Sequence, residues 1–151
     1  MQIQWIVKSF EELLPEELYQ LLRLRSEVFV VEQNCVFLDL DNKDQQSLHL
    51  MGWINNNLAV YVRILPPGLA YDEPSIGRVV SSPAYRRTGA GRILMEKAFE
   101  LTSELYKGEN IRIGAQYYLK NFYGSLGFEI QGDIYLEDGI DHIEMLKTCQ
   151  F

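Results

Sequence analysis

The stretch Val79-Val80-Ser81-Ser82-Pro83-Ala84-Tyr85-Arg86-Arg87-Thr88-Gly89-Ala90-Gly91 decides the fold. It carries a β-rich segment, Ile76 to Ser81, through a glycine-bearing turn and directly onto a segment with helical apolar periodicity. The helix is expected to start near Gly89, with Ile93, Leu94, Ala98, Leu101 and Leu105 keeping one apolar face toward a core. The first amides of a helix have no partner inside it, and together with the positive end of the helix dipole they favour an anion at the turn. Glycine at 89 and 91 removes the side chains that would hold a ligand away from the backbone. The chain as a whole has 14 basic and 21 acidic residues, a net charge of −7, yet from 86 to 97 Arg86, Arg87, Arg92 and Lys97 meet only Glu96. A phosphate-bearing ligand is therefore expected at this turn. The competing account is an ordinary strand-to-helix turn with a solvated basic face. Two better-known phosphate motifs do not fit: Leu94 stands where a dinucleotide fingerprint has its third glycine, and no Gly-Lys-Ser/Thr follows.

Upstream of this stretch, Ile3, Trp5 and Val7 alternate with polar residues and predict a strand. Pro15-Glu16-Glu17 opens a helix, with proline in the first turn and acids at the positive end of the dipole. Leu48 to Ile54 and Leu58 to Leu65 flank Asn55-Asn56-Asn57 and predict a hairpin. Downstream, Ile111 to Gln116 reads as a strand and Tyr117 to Leu126 as a short helix closed by Gly127; the remaining strands turn at Glu137-Asp138-Gly139. This order predicts an α/β (α+β mixed) fold with a mixed central sheet, in which the crossover from Ile76–Ser81 to Ile111–Gln116 is parallel and right-handed.

Composition sets the outer limits. A chain of 151 residues, 47% apolar and 23% charged, is most simply one globular domain spanning 1–151. No apolar run reaches the roughly 20 residues of a membrane span, and Glu11-Glu12 stand where a signal peptide is apolar, so a cytoplasmic protein without a membrane partner is expected. A pI near 4.8 argues against nucleic acid as the main partner and permits cationic small molecules. Cys35 and Cys149 are expected as free thiols. With only two cysteines and two histidines, and no Cys-x-x-Cys or close histidine pair, no metal is expected. Asp39-x-Asp41-x-x-Asp44 has Lys43 and Asp44 at the fifth and sixth positions of an EF-hand loop, which excludes that motif and leaves a polar surface loop.

Arg86-x-x-Gly89-x-Gly91 after Val79-Val80-Ser81-x-Pro83, with Asn121-Phe122-Tyr123-x-x-Leu126-Gly127-Phe128 downstream, resembles the GNAT family of N-acetyltransferases. Arg25-x-x-Val28-Phe29-Val30-Val31-Glu32-Gln33 and Tyr135-x-Glu137-Asp138-Gly139-Ile140-x-His142-Ile143 look like its ElaA-type branch. The resemblance implies a GNAT-like acyl-CoA N-acyltransferase fold, in which the two strands around the crossover splay and the cofactor's pantetheine arm lies in the opening. It implies acetyl-CoA as acetyl donor, with pyrophosphate on the turn that Arg86 begins, over the backbone amides of Arg87, Thr88, Gly89, Ala90 and Gly91. Val79 and Ser81 would offer backbone groups to pantetheine, an amide near Val80 would polarise the carbonyl, and Tyr123 would protonate the departing thiolate. Gln116 stands where the family usually has asparagine, and Asn121 is a further candidate contact. Glu32 and Gln33 are placed beside the acceptor, and His49 and His142 are both candidates for the substrate side and for the general base. The acceptor, a small-molecule or peptide amine, and the choice between monomer and homodimer are left open. A non-catalytic acyl-CoA sensor and an acyl-homoserine lactone synthase-like enzyme are the alternatives.

Overall fold

A computed structural model describes residues 2–149. The elements in order are β1 (Gln4–Ser9), α1 (Pro15–Arg25), β2 (Leu48–Ile54), β3 (Asn57–Leu65), β4 (Ser75–Ser81), α2 (Ala90–Leu105), β5 (Ile111–Gln116), α3 (Lys120–Ser125), β6 (Glu129–Glu137) and β7 (Ile140–Lys147). α1 runs on into a π-helical stretch, Ser26–Glu32. The predicted hairpin is β2–β3, with Asn55 and Asn56 both in the left-handed region at φ +49° and +64°. Asparagine tolerates that conformation because its short amide bonds locally.

The strands form two antiparallel sheets, β1-β2-β3-β4 and β5-β7-β6. The mixed sheet with a parallel β4–β5 pair is thereby corrected. Among the described residues no ladder joins these strands, and one backbone bond, from the Arg112 amide to the Pro74 carbonyl at 3.1 Å, ties β5 to the residue before β4. The physical reason lies in β4. Tyr61 faces Val80 and Arg63 faces Gly77, so β4 carries one residue more than β3 over that span. The extra residue is a bulge, with Arg78 in the left-handed region at φ +53°. A bulge increases local twist and interrupts pairing, and β4 and β5 each remain the open edge of their own sheet.

Both faces of the first sheet are buried. Leu50, Val60, Val62, Ile64 and Ile76 pack against the Leu94–Met95–Ala98–Phe99 stripe of α2, in one core that also takes Ile111, Ile113, Ile143 and Met145 of the second sheet. Met51, Leu58, Tyr61 and Val80 face the other way and pack against Leu21, Leu24 and Val28. Burying one such side chain is worth about 1.5–3 kcal/mol, so the two layers of apolar contact hold the sheets in place without a shared ladder. Ile93 and Leu105 were expected on the inner face of α2 and are 39% and 48% exposed. The stripe that is buried steps through Leu94 and Ala98, which turns Ile93 about 100° away from it.

Candidate active site

The stretch from Val79 to Gly91 forms the turn it predicts. Gly89 caps α2 with φ +84°, and Arg87 two residues earlier is also left-handed at φ +63°. Thr88 Oγ1 donates to the Tyr85 carbonyl at 2.7 Å and pins the turn. Among the described residues no backbone carbonyl accepts from the amides of Arg87, Thr88, Gly89, Gly91 or Arg92. Alternating left- and right-handed residues turn successive N–H groups to one side, a concavity that suits an anion. At Gly91 a Cβ would lie 3.3 Å from Ser81 Oγ, so a side chain there would crowd the passage between helix start and strand.

This turn opens onto a cleft of about 800 Å³ that runs between β4 and β5. Ile76 to Ser81 form one wall and Ile113 to Gln116 the other, so the open edges of both sheets face the same space. Val79, Val80, Ser81, Arg86, Gly91, Gln116 and Tyr123 line it, together with Glu32, Gln33 and His142. Asn121 is exposed on α3 and lies outside the lining residues. Tyr123 is 6% exposed, its ring edge-on to Phe122 and Phe128, and burial pushes its hydroxyl up to about 12.

The segment that follows the π-helical stretch crosses the cleft. Arg86 donates twice to the Glu32 carboxylate, at 2.7 and 2.5 Å, and these bonds hold Glu32 below the usual carboxylate range. The Gln33 and Gln116 side-chain amides face each other at 3.3 Å, and the Cys35 thiol donates to the Asp138 carbonyl at 3.1 Å. Two residues expected to serve different ligands, Arg86 and Glu32, are thus one ion pair.

His49 is a correction. It is fully buried and absent from the cleft wall. Its Nε2 lies 2.9 Å from the Asp44 carbonyl, which can only accept, so Nε2 carries the proton and Nδ1 accepts from the Tyr61 hydroxyl at 2.7 Å. Burial holds it below the ordinary histidine range. The acidic loop is also a correction. Asp39 and Asp44 are 3% and 6% exposed, far from a polar surface loop. Arg25, itself fully buried, donates to Asp39 and Asp44 at 2.8 Å each; Arg63 donates to Asp41 and Asp44, and Arg78 to Asp39. Three aspartates meet three arginines, so the loop offers no net charge to a cation.

At the far end of the cleft His142 sits between its cross-strand neighbours, Gln116 on β5 and Tyr135 on β6. Its Nδ1 lies 2.8 Å from the Ile140 carbonyl and its Nε2 lies 3.4 Å from the Glu137 carboxylate. The hydroxyls of Tyr71 and Tyr135 converge over Gly114, where a Cβ would lie 2.9 and 2.7 Å from them. Both phenols are pushed up, by burial first. Sequence reasoning passed over Tyr71 and Gly114 and gave Tyr135 a place in a motif but no role, because nothing local marks residues that meet only through strand register. Among the described residues no three His, Cys, Asp or Glu side chains are grouped to hold a metal ion, and no helix is long and apolar enough to cross a membrane.

A helix start with unpartnered amides beside a cleft between two open strand edges fits the fold of acyl-CoA N-acyltransferases. Residues 25–149 match the family model for the acetyltransferase (GNAT) domain, and the chain belongs to that family. It is 42% identical over 147 residues to a UPF0039 protein of Synechocystis sp., covering 97% of this chain and 96% of that one. Protein ElaA of Escherichia coli is 41% identical over 147 residues, 96% of each chain. The crystal structure of an acyl-CoA N-acyltransferase from Pseudomonas aeruginosa superposes with a TM-score of 0.93 at 40% identity, over 97% of this chain and 100% of that one.

Proposed function

We propose that residues 1–151 act as one N-acetyltransferase domain that moves the acetyl group of acetyl-CoA to a primary amine by direct attack within a ternary complex. The observation that carries this reading is the convergence of two open strand edges on one cleft that the turn leading into α2 meets at Arg86 and Gly91. Pyrophosphate fits the free amides of that turn, with Gly91 leaving the passage open. The edge of β4 at Val79 and Ser81 presents backbone groups to the two amides of pantetheine, while Val80, in register with Tyr61, turns its own toward β3. Acetyl-CoA supplies an activated acyl group on a thioester.

Tyr123 supplies the proton for sulfur. A thiol near 8.5 and a phenol near 12 leave that transfer uphill by roughly 5 kcal/mol if sulfur keeps its value in water. The burial that raises the phenol raises a thiol in the same place, which narrows the gap. Partial transfer at the transition state is enough for a contribution of about a hundredfold. The protein is expected to act in the cytoplasm. The test is a screen of primary amines with acetyl-CoA, read by release of free thiol. Turnover supports the enzyme, whereas tight binding of acetyl-CoA with no turnover across the screen turns the reading to an acyl-CoA sensor.

A further inference from the structure

We infer that His142 takes the proton from the incoming ammonium group, with Glu137 as the carboxylate that receives the cation; this rests on the acetyl-transfer reading above. A primary amine with a pKa near that of lysine, about 10.4, reaches the cleft protonated and has no lone pair until a base takes one proton. Besides His142 and Glu137 the cleft lining carries three carboxylates, of which Asp138 is exposed on the turn between β6 and β7. Glu32 is occupied by Arg86 and Asp41 by Arg63. Tyr71, Tyr123 and Tyr135 are all pushed up and stay protonated at neutral pH. His49 is sealed in the core with both ring nitrogens partnered.

His142 differs from His49 in one atom. The Ile140 carbonyl can only accept, so the neutral ring carries its proton on Nδ1, and the lone pair is on Nε2. That nitrogen is the one that approaches Glu137, on a residue that lines the cleft. When Nε2 gains a proton, the imidazolium has an acceptor at each nitrogen, Ile140 O and Glu137 Oε2. The Tyr135 ring, 5.8 Å away at 32°, fixes the plane of the imidazole. The other groups facing this corner are Tyr71, across Gly114, and Glu144 on the same strand, which is already paired with Arg112 at 3.3 Å. Glu137 keeps 57% of its side chain exposed, so it meets an ammonium as it enters.

The step balances. Nε2 of His142 takes one proton from R–NH3+, and the freed nitrogen pair forms the C–N bond to the thioester carbonyl carbon while the C–S bond breaks. The bond pair leaves on sulfur, which takes the Tyr123 proton. The second proton lost by nitrogen restores Tyr123 through solvent, and His142 returns its own, so one proton is released for each amide made.

The test pairs two amines, benzylamine, a cation at neutral pH, and aniline, which is neutral there. His142→Gln is expected to lower kcat/KM for benzylamine about a hundredfold and for aniline only severalfold, to remove the acid limb of the benzylamine pH profile, and to leave acetyl-CoA affinity by calorimetry unchanged. Glu137→Gln should raise KM for benzylamine and not for aniline. Equal losses with both amines, or an acid limb that survives in His142→Gln, overturns the assignment and leaves the transfer reading standing. Wild-type protein that binds acetyl-CoA and acetylates neither these two amines nor any other of the screen overturns both. If His142→Gln does not fold, proton NMR of the wild type decides: the chain has two histidines, and the His142 ring signal must move when benzylamine is added with CoA present while that of buried His49 stays fixed. An unmoved His142 signal sinks the proposal.

Discussion

Single atoms carry most of the chemistry. Deleting the Tyr123 hydroxyl as Tyr123→Phe keeps the ring that packs on Phe122 and Phe128, so the fold and acetyl-CoA affinity should persist while kcat drops about a hundredfold. Pre-steady-state measurement that isolates the chemical step checks this, and an unchanged chemical rate removes Tyr123 from it. At Gly89 the constraint is conformational, since a Cβ placed there would meet no atom within 4 Å but φ is +84°. Gly89→Val should therefore strain the turn and reduce CoA binding by tenfold or more, whereas Gly89→Asn, which tolerates the left-handed region, should lose far less. Isothermal calorimetry on the two folded variants distinguishes backbone shape from bulk. Glu32 occupies Arg86 in this structure, so Glu32→Gln should release the guanidinium and tighten CoA binding a few-fold. A weaker affinity in that variant means that Glu32 orders the turn and does not compete for it.

At the scale of elements, the segment between α1 and β2 is fastened by the Arg25–Asp39–Arg78 and Asp44–Arg63–Asp41 contacts. Removing one member leaves an unpaired buried charge, so Arg25→Ala should cost about 3–5 kcal/mol in denaturant unfolding. Asp41 and Asp44 are held below the ordinary aspartate value despite burial, because Arg63 and Arg25 donate to them. Their depressed folded values contribute stability that is fully present above the unfolded value of about 3.9 and is lost as pH falls below it. Acid unfolding should therefore begin near pH 4 and be less steep in Asp41→Asn, which circular dichroism against pH will show. The element boundaries were legible because they rest on local chemistry: proline at 15, an asparagine turn at 55 to 57, glycines at 89 and 127. The aspartate loop was not, because its partners lie on other elements and a run of acids reads the same whether solvated or buried.

Across the whole molecule, what the sequence left hidden was register. The cleft's position was legible from one turn, of which Arg86 and Gly91 line the cleft and Arg87 to Ala90 lie outside its lining residues. The meeting of Gln116, His142 and Tyr135 depends on pairing among three strands, and the bulge at Arg78 depends on a count of residues against β3. Neither is written in any local pattern, and the mixed sheet failed for the same reason. The two sheets end facing each other at β4 and β5 with no ladder between them among the described residues. An open strand edge ordinarily invites another chain, and here two such edges face one cleft. Their backbone amides consequently act as a built-in gauge of what the protein is carrying. In deuterium exchange, the cleft-facing amides of Val79 and Ser81 should label rapidly in the empty protein and slow once an extended ligand bonds to them, while the ladder shared by β2 and β3 stays unchanged; residue by residue, the pattern would trace the length and lie of a bound molecule before anyone had identified it.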